Sequence, residues 1–293
     1  MEEIYKKARA RINLSLEVLG KREDGYHNIK SVFQKINFYD EIWIRKNKTA
    51  DCRLEINVET LNNQENIVYQ AYLKLKEKFP NLSGVDVKIN KKIPMQAGLA
   101  GGSADCATFL LAMNKLFGLS LSKSEIESIG KSLGADVVPC LYHQAVLVEG
   151  IGEKITKINT NFKYYVVIVK PVISCDTKQM YQALDANSQL IQLQVADKVI
   201  LALENNQIQT LANHLYNVFE EVLEEKEEIH NIKNEFSKND AIGTLMSGSG
   251  SCVYGLFEKK EKAKRAYHQL KTNYQTYICT SYNTRRENKY DKK

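Results

Sequence analysis

Apolar residues recur at every second position in ARINLSLEVLG, where Ile12, Leu14, Leu16 and Val18 alternate with polar neighbours. That period predicts a strand with one buried face and places Arg11 on the other. Glu41–Arg45 and Leu54–Val58 continue in the same style. From Glu65 to Phe79 the period lengthens: Ile67, Val68, Ala71, Tyr72, Leu75 and Phe79 share one helical face, and Pro80 stops the run. Val85, Val87 and Ile89 then alternate as a strand leading into a glycine-rich segment.

The Ala-, Leu- and Met-rich run from Ala104 to Phe117 reads as a buried helix with Ser103 at its N-cap. A second helix is announced by Ser122 and Glu125, spaced as a capping box, with Ile126, Ile129 and Leu133 inward and Gly134 at its end. AVLVEG (145–150) is strand-like, and the polar stretch Gly152–Phe162 marks the expected domain boundary. Beyond it the pattern predicts a strand over Tyr164–Lys170 and helices over Thr177–Leu184 and Ala196–Glu224. A strand over Ser251–Phe257, a helix over Lys259–Leu270 and a strand over Gln275–Tyr282 follow. Strands and helices in this order indicate an α+β fold whose second half is a split βαβ sandwich. The expected domains are 1–158 and 159–285, followed by a polar tail, 286–293.

Composition narrows the class. In 293 residues the chain is 43% hydrophobic and 26% charged, an ordinary globular balance. No apolar run reaches the roughly 18 residues of a membrane span, and MEEIYKKARA lacks the apolar core of a signal peptide. The expectation is a cytoplasmic protein that does not bind membranes. Six scattered cysteines without a C-x-x-C pair predict buried free thiols, not zinc ligands. A net charge of +6, without a dense basic patch interleaved with aromatics, argues against nucleic acid as a partner.

The candidate chemistry lies in IPMQAGLAGGSADCAT, Ile93–Thr108. Gly98, Gly101 and Gly102 strip side chains from a loop between a strand and a helix, a setting in which backbone N–H groups approach an anion closely. The segment contains no lysine, so it is neither a G-x-x-x-x-G-K-[ST] phosphate loop nor a G-x-G-x-x-G dinucleotide turn. Taken alone, such a cluster equally makes a tight turn that binds nothing. A second glycine-rich stretch, MSGSGS (Met246–Ser251), precedes a strand, and two such stretches suit a nucleotide whose phosphates are gripped from two sides. Asp136 in LGADVVPC, Tyr26-His27 after the turn Glu23-Asp24-Gly25, and Arg11 are the remaining candidates.

Together KARARINLSLEVLGKREDGYH, IPMQAGLAGGSADCAT, LGADV with EGIGE downstream, and LMSGSGS resemble, in order, the GHMP-type small-molecule kinases. GKREDGYH beside the first strand makes the chain similar to the branch that phosphorylates 4-diphosphocytidyl-2-C-methyl-D-erythritol, from about Lys7 to about Tyr282. The resemblance implies a two-domain fold: an N-terminal half like domain 2 of ribosomal protein S5, a C-terminal ferredoxin-like half, and an active site in the cleft between them. It also implies transfer of the γ-phosphoryl of ATP to the substrate's 2-hydroxyl, giving ADP and the 2-phosphate, in a monomer or homodimer of the non-mevalonate isoprenoid pathway.

Carried over by position, the resemblance makes Asp136 the catalytic base and Arg11 its cationic partner. Pro94, Met95, Gln96, Ala97, Gly98, Leu99, Ala100, Gly101, Gly102, Ser103 and Ala104 wrap the ATP phosphates, with Asn66 on the adenine side and Ser103 helping to hold Mg²⁺. Asn13, Tyr26, His27, Thr177 and Tyr181 take the cytidine side, and Ser247, Gly248, Ser249 and Gly250 form the second glycine loop.

Three departures stand out. The family carries lysine where this chain has Arg11, and arginine keeps the charge in a bulkier planar fork. GADVVPC followed by His143-Gln144 replaces GADVPF followed by a Gly-Gly turn. Cys175-Asp176 replaces a usual Val-Ser ahead of Thr177. Two other readings are consistent with these changes: a GHMP kinase for a different small alcohol, and a catalytically silent nucleotide-binding paralogue.

Overall fold

The computed structural model describes residues 3–187, 193–224 and 226–284, so the expected tail, 286–293, lies outside the described residues. The chain opens with β1 (Glu3–Lys21), β2 (His27–Lys46), β3 (Cys52–Ile56), α1 (Ile67–Lys78), β4 (Val85–Asn90) and α2 (Gly101–Phe117). It continues with α3 (Lys123–Leu133), α4 (Val137–Cys140), β5 (Val146–Gly150), β6 (Lys154–Lys157), β7 (Tyr165–Lys170) and α5 (Thr177–Ala186). Next come α6 (Ala196–Glu204), α7 (Ile208–Asn213), β8 (Tyr216–Asn217) and α8 (Lys226–Lys238), then β9 (Gly243–Met246), β10 (Val253–Phe257), α9 (Lys260–Leu270) and β11 (Gln275–Thr280). Among the described residues no helix is long and apolar enough to cross a membrane.

Two compact units emerge, and neither is contiguous in sequence. The first comprises the chain's start up to Ala10, Phe38–Pro94 and Ala100–Tyr142; the second comprises Arg11–Asn37, Met95–Leu99 and the chain from His143 onward. The units interleave along the chain instead of following one another. The long strands β1 and β2 contribute to both units, and the polar stretch 152–162 is not a linker. Its Lys154–Lys157 forms β6, pairing antiparallel with β5 from Val146↔Lys157 to Glu149↔Lys154.

In the first unit the later half of β2 pairs antiparallel with β4, Glu41↔Asn90 through Lys46↔Val85, and β4 pairs parallel with β3. Ile42, Ile44, Val87 and Ile89 join Val68, Tyr72, Leu75, Phe109 and Met113 in its core. The capping box at the start of α3 forms as expected: Ser122 Oγ accepts from the Glu125 N–H, while the Glu125 carboxylate accepts from the Ser122 N–H. Ser103 is not the N-cap of α2. Ala100 takes that position with φ 55°, and the Ala104 N–H bonds the Ala100 carbonyl at 2.9 Å, so Gly101 and Gly102 lie inside the first turn.

In the second unit β7, β9, β10 and β11 form an antiparallel sheet in the order β11-β7-β10-β9. With α8 between β7 and β9, and α9 between β10 and β11, this is the split βαβ arrangement the sequence order implies. The expected helix over Ala196–Glu224 is broken. Asn206 turns left-handed at φ 56° after α6, α7 is short, and β8 pairs parallel with β1, Ser15↔Tyr216 and Leu16↔Asn217. Helix α8 and strand β9 are additions to the elements expected from the pattern. Cys52, Cys106, Cys140, Cys252 and Cys279 are buried free thiols, and burial pushes those of Cys52 and Cys252 up to about 12.

Candidate active site

The glycine-rich segments meet in the second unit. Gly98 has φ +67°, and a Cβ on it would lie 1.9 Å from the Ser247 carbonyl oxygen. That approach requires glycine. It is held by the Cys252 N–H donating to the Ala97 carbonyl at 3.3 Å and by Ser247 Oγ donating to the Gly98 carbonyl at 2.8 Å. The N–H groups of Met95, Gln96, Ala97, Gly98 and Leu99 donate to no acceptor among the described residues, and neither do those of Gly248 and Ser249. By contrast, the Ser247 and Gly250 N–H groups are taken by the Cys252 and Ser247 carbonyls. Bare backbone donors beside left-handed glycines are a chemistry that receives anions.

Arg11 is not on a solvent-facing side of β1, as the strand period suggested. Only 6% of it is exposed. Its Nη1 donates to Asn13 Oδ1 and to the Gly98 carbonyl, each at 2.7 Å, and its guanidinium lies 4.4 Å from the centre of the Phe33 ring. The rest of that face is buried too, because its polar groups satisfy one another. Asn13 Nδ2 donates to Ser31 Oγ at 2.9 Å, Ser31 Oγ donates to the Ser15 carbonyl, and Glu17 Oε1 accepts the N–H groups of Val195 and Ala196. A permanent cation therefore sits at the carbonyl joining the two glycine segments, while the amide of Asn13 is engaged inside the protein.

The aromatic candidates also gather in this unit. The His27 and Tyr181 rings stack with centroids 4.7 Å apart and planes 19° from parallel, and Phe219 meets Tyr181 edge-on at 5.0 Å. Asp185, one turn beyond Tyr181 on α5, accepts from Lys21 at 2.6 Å and pairs with His27 Nε2 at 2.7 Å. Lys21 and His27 hold its carboxyl below the usual range. Tyr26 is 63% exposed at the hairpin end. Thr177 Oγ1 meets Ser249 Oγ at 2.7 Å, tying the start of α5 to the second glycine segment. Asp176 caps α5 by accepting the Gln179 N–H, and Gln144 donates to the Ile158 carbonyl, so both departures from the family pattern have structural tasks here.

In the first unit Gly101, Gly102 and Ser103 open α2, and Asp136 stands at the N-terminus of the short α4, half-exposed. Asn66 caps α1. Its Oδ1 accepts the Val68 N–H at 2.9 Å and its Nδ2 donates to the Leu61 carbonyl at 3.0 Å. Beneath α2 lies a group that sequence reasoning missed. Lys91 Nζ, 6% exposed as a side chain, is bonded to the buried carboxylates of Asp40 and Asp105. Burial pushes the Asp105 carboxyl up, to about 8. Asn217, Glu220 and Phe219 were missed as well. An asparagine inside the apolar run YNVF was the available signal.

Among the described residues no cluster of three His, Cys, Asp or Glu side chains is arranged for a metal ion. A Mg²⁺ bound with a nucleotide takes much of its coordination from phosphate oxygens and water, so the lack of such a cluster does not argue against one.

Comparisons with known proteins agree with the geometry. The family model of the GHMP kinases N terminal domain matches residues 66–144, and that of the GHMP kinases C terminal domain matches residues 199–276. A 4-diphosphocytidyl-2-C-methyl-D-erythritol kinase from Alkaliphilus oremlandii is 40% identical, over 97% of this chain and 98% of that relative. Its counterpart from Acetivibrio thermocellus is 41% identical, over 93% and 96%. A crystal structure of 4-(cytidine 5'-diphospho)-2C-methyl-D-erythritol kinase superposes with a TM-score of 0.84 at 25% identity, covering 96% of this chain and all (100%) of that one. The chain belongs to the GHMP kinases, in the family of 4-diphosphocytidyl-2-C-methyl-D-erythritol kinases, and is a small-molecule kinase.

Proposed function

We propose that the protein transfers the γ-phosphoryl group of ATP to the 2-hydroxyl of 4-diphosphocytidyl-2-C-methyl-D-erythritol, forming ADP and the 2-phosphate. The observation that carries this reading is the pair of glycine-rich segments locked together at Gly98, with runs of N–H groups that bond no acceptor among the described residues. Phosphoryl transfer asks the protein mainly for positioning and charge neutralisation. In this reading the N–H groups of 95–99 and the start of α2 receive the phosphates, and Arg11 supplies positive charge at Gly98. Ser103 gives its hydroxyl to Mg²⁺, which when bound neutralises charge on the phosphates. Asp136 takes the proton of the attacking hydroxyl, a step needed late in a loose transition state. Tyr26, exposed at the hairpin end, and the stacked His27–Tyr181 pair are assigned to the cytosine ring, and Thr177 stands one turn before Tyr181 on the same helical face.

ADP release from ATP, with and without the cytidine substrate, tests the reading. Turnover is expected to require the substrate, and Asp136→Asn is expected to lower it by at least about a hundredfold. Equal turnover in the two proteins removes Asp136 from the mechanism, and turnover only with another alcohol reassigns the substrate. ATP binding without turnover under any conditions leaves a silent nucleotide-binding paralogue.

That silent paralogue is favoured by one observation, arginine in place of the family lysine. Lysine at position 11 keeps the charge and a donor for Asn13 and Gly98, which Nη1 alone serves here, but it lacks the planar group that lies on Phe33. Arg11→Lys is expected to keep kcat within about tenfold of the parent. A gain of several hundredfold from a near-silent parent decides for the paralogue.

A further inference from the structure

The second glycine-rich segment is shaped by side chains that lie outside it. Asn217, on β8, is 1% exposed. Its Nδ2 donates to the carbonyls of Met246 and Gly248, both at 2.8 Å, and its Oδ1 accepts the Phe219 N–H at 3.1 Å. One amide group therefore draws together two carbonyls two residues apart, and the backbone between them can bend that far because Gly248 adopts φ +60°. Three residues beyond Asn217, Glu220 Oε1 accepts the Met246 N–H at 2.6 Å while its other oxygen is held by Lys233 at 2.6 Å. From the opposite side Ser247 Oγ accepts the Asn13 N–H at 3.3 Å and donates to the Gly98 carbonyl. The carbonyls of Met246 and Gly248 and the N–H groups of Met246, Ser247 and Gly250 are thus all bonded within the protein, while the N–H groups of Gly248 and Ser249 bond no acceptor among the described residues.

We propose that Asn217 is a positioning residue for phosphoryl transfer: it fixes the curvature of Met246–Gly248 so that the N–H groups of Gly248 and Ser249 remain available to a phosphate-bearing ligand. The assignment rests on the kinase reading above and adds a residue to it. Asn217 touches neither substrate nor nucleotide in this account, and it acts only through the backbone it holds. Its side chain is specified closely. Aspartate would set an acceptor, in place of Nδ2, against two carbonyl oxygens in a buried place, and serine keeps at most one donor.

The experiment compares the full-length parent with Asn217→Asp and Asn217→Ser in steady-state kinetics, thermal unfolding and hydrogen exchange. For Asn217→Asp we expect kcat to fall by at least about thirtyfold with KM for ATP within about threefold, since displacement of groups around the reaction acts on the transition state. Amide exchange in the peptide covering 243–253 is expected to rise at least about tenfold while β7 and β11 keep the parent rate. Asn217→Ser should fall between parent and Asn217→Asp in both readouts. Unchanged kcat per folded molecule overturns the proposal, and so does exchange that quickens equally across all four strands of the sheet, which marks a merely structural amide. If the parent itself shows no turnover, the kinase reading fails. The exchange pattern then judges Asn217 alone: loosening confined to 243–253 supports it, and parent-like exchange overturns it.

Discussion

Gly98→Ala is expected to reduce turnover by at least about a hundredfold, because groups moved by even 1 Å from the reacting centre lose that much. The new methyl has two separate problems. At φ +67° an L side chain crowds its own backbone, at a cost of about 1–2 kcal/mol. It would also stand 1.9 Å from the Ser247 carbonyl oxygen, 2.8 Å from its carbon and 3.1 Å from the Gly250 carbonyl oxygen. These are backbone atoms, so no side-chain rotamer relieves the overlap. The two segments must separate, and with them go the hydrogen bonds of Cys252 to Ala97, Ser247 to Gly98 and Arg11 to Gly98. Gly118→Ala is the control: that glycine has φ +60° and a Cβ there would meet nothing within 4 Å, so only the conformational cost of about 1 kcal/mol applies and turnover is retained. Unfolding curves and ADP-release rates for the two variants decide the matter. Indistinguishable behaviour would show that close contact between the segments has no part in activity.

How much of this is legible in the sequence depends on the kind of interaction involved. Gly98 can be singled out because left-handed backbone and close backbone approach both demand glycine, and each leaves its mark on composition. The split βαβ half can be read because β7 and β10 are short continuous apolar runs buried along nearly their whole length, with α9 set between β10 and β11. Helix α8 is harder to see. Its Ile229, Ile232 and Phe236 are three apolar positions in a run dominated by charge, and β9 has only four residues.

Arg11 and Asn217 fail differently. Periodicity assigns a polar residue in a strand to the outside, and that inference assumes nothing polar covers it. Here the partners come from far along the chain: Gly98 lies 87 residues from Arg11, and Met246 lies 29 residues from Asn217. No local window contains both members of either pair. The family resemblance reaches further for His27 and Tyr181, whose rings stack in the folded chain. It does not point to Asn217 or Glu220, which shape backbone and lie outside the segments that carry the resemblance.

Lys91→Met is expected to destabilise the first unit by about 3–5 kcal/mol, the usual cost of leaving buried charges without their partner. Lys91 follows β4 directly, and its ammonium is bonded to Asp40 on β2 and, at 2.6 Å, to Asp105 on α2. Asp40 is fully buried and its second oxygen accepts the N–H groups of Lys92 and Ile93, so it cannot turn to water when the lysine is lost. A Cβ on Gly101 would meet Ile93 at 3.0 Å and Lys91 Nζ at 3.4 Å, which puts the ammonium directly under the first residue of α2. The cluster therefore fixes where that helix begins. Asp105→Asn separates this account from simple packing. Asparagine keeps the shape and an oxygen for Lys91, and it removes a carboxyl whose charged form burial already disfavours. Its expected effect is within about 1 kcal/mol, because Lys91 keeps Asp40 as its charged partner and the exchange leaves no buried charge without one. Chemical denaturation of the two single variants and the double variant measures the coupling. If Lys91→Met and Asp105→Asn cost the same and add without interaction, the lysine is a spacer and the charges beneath α2 have no role in holding it.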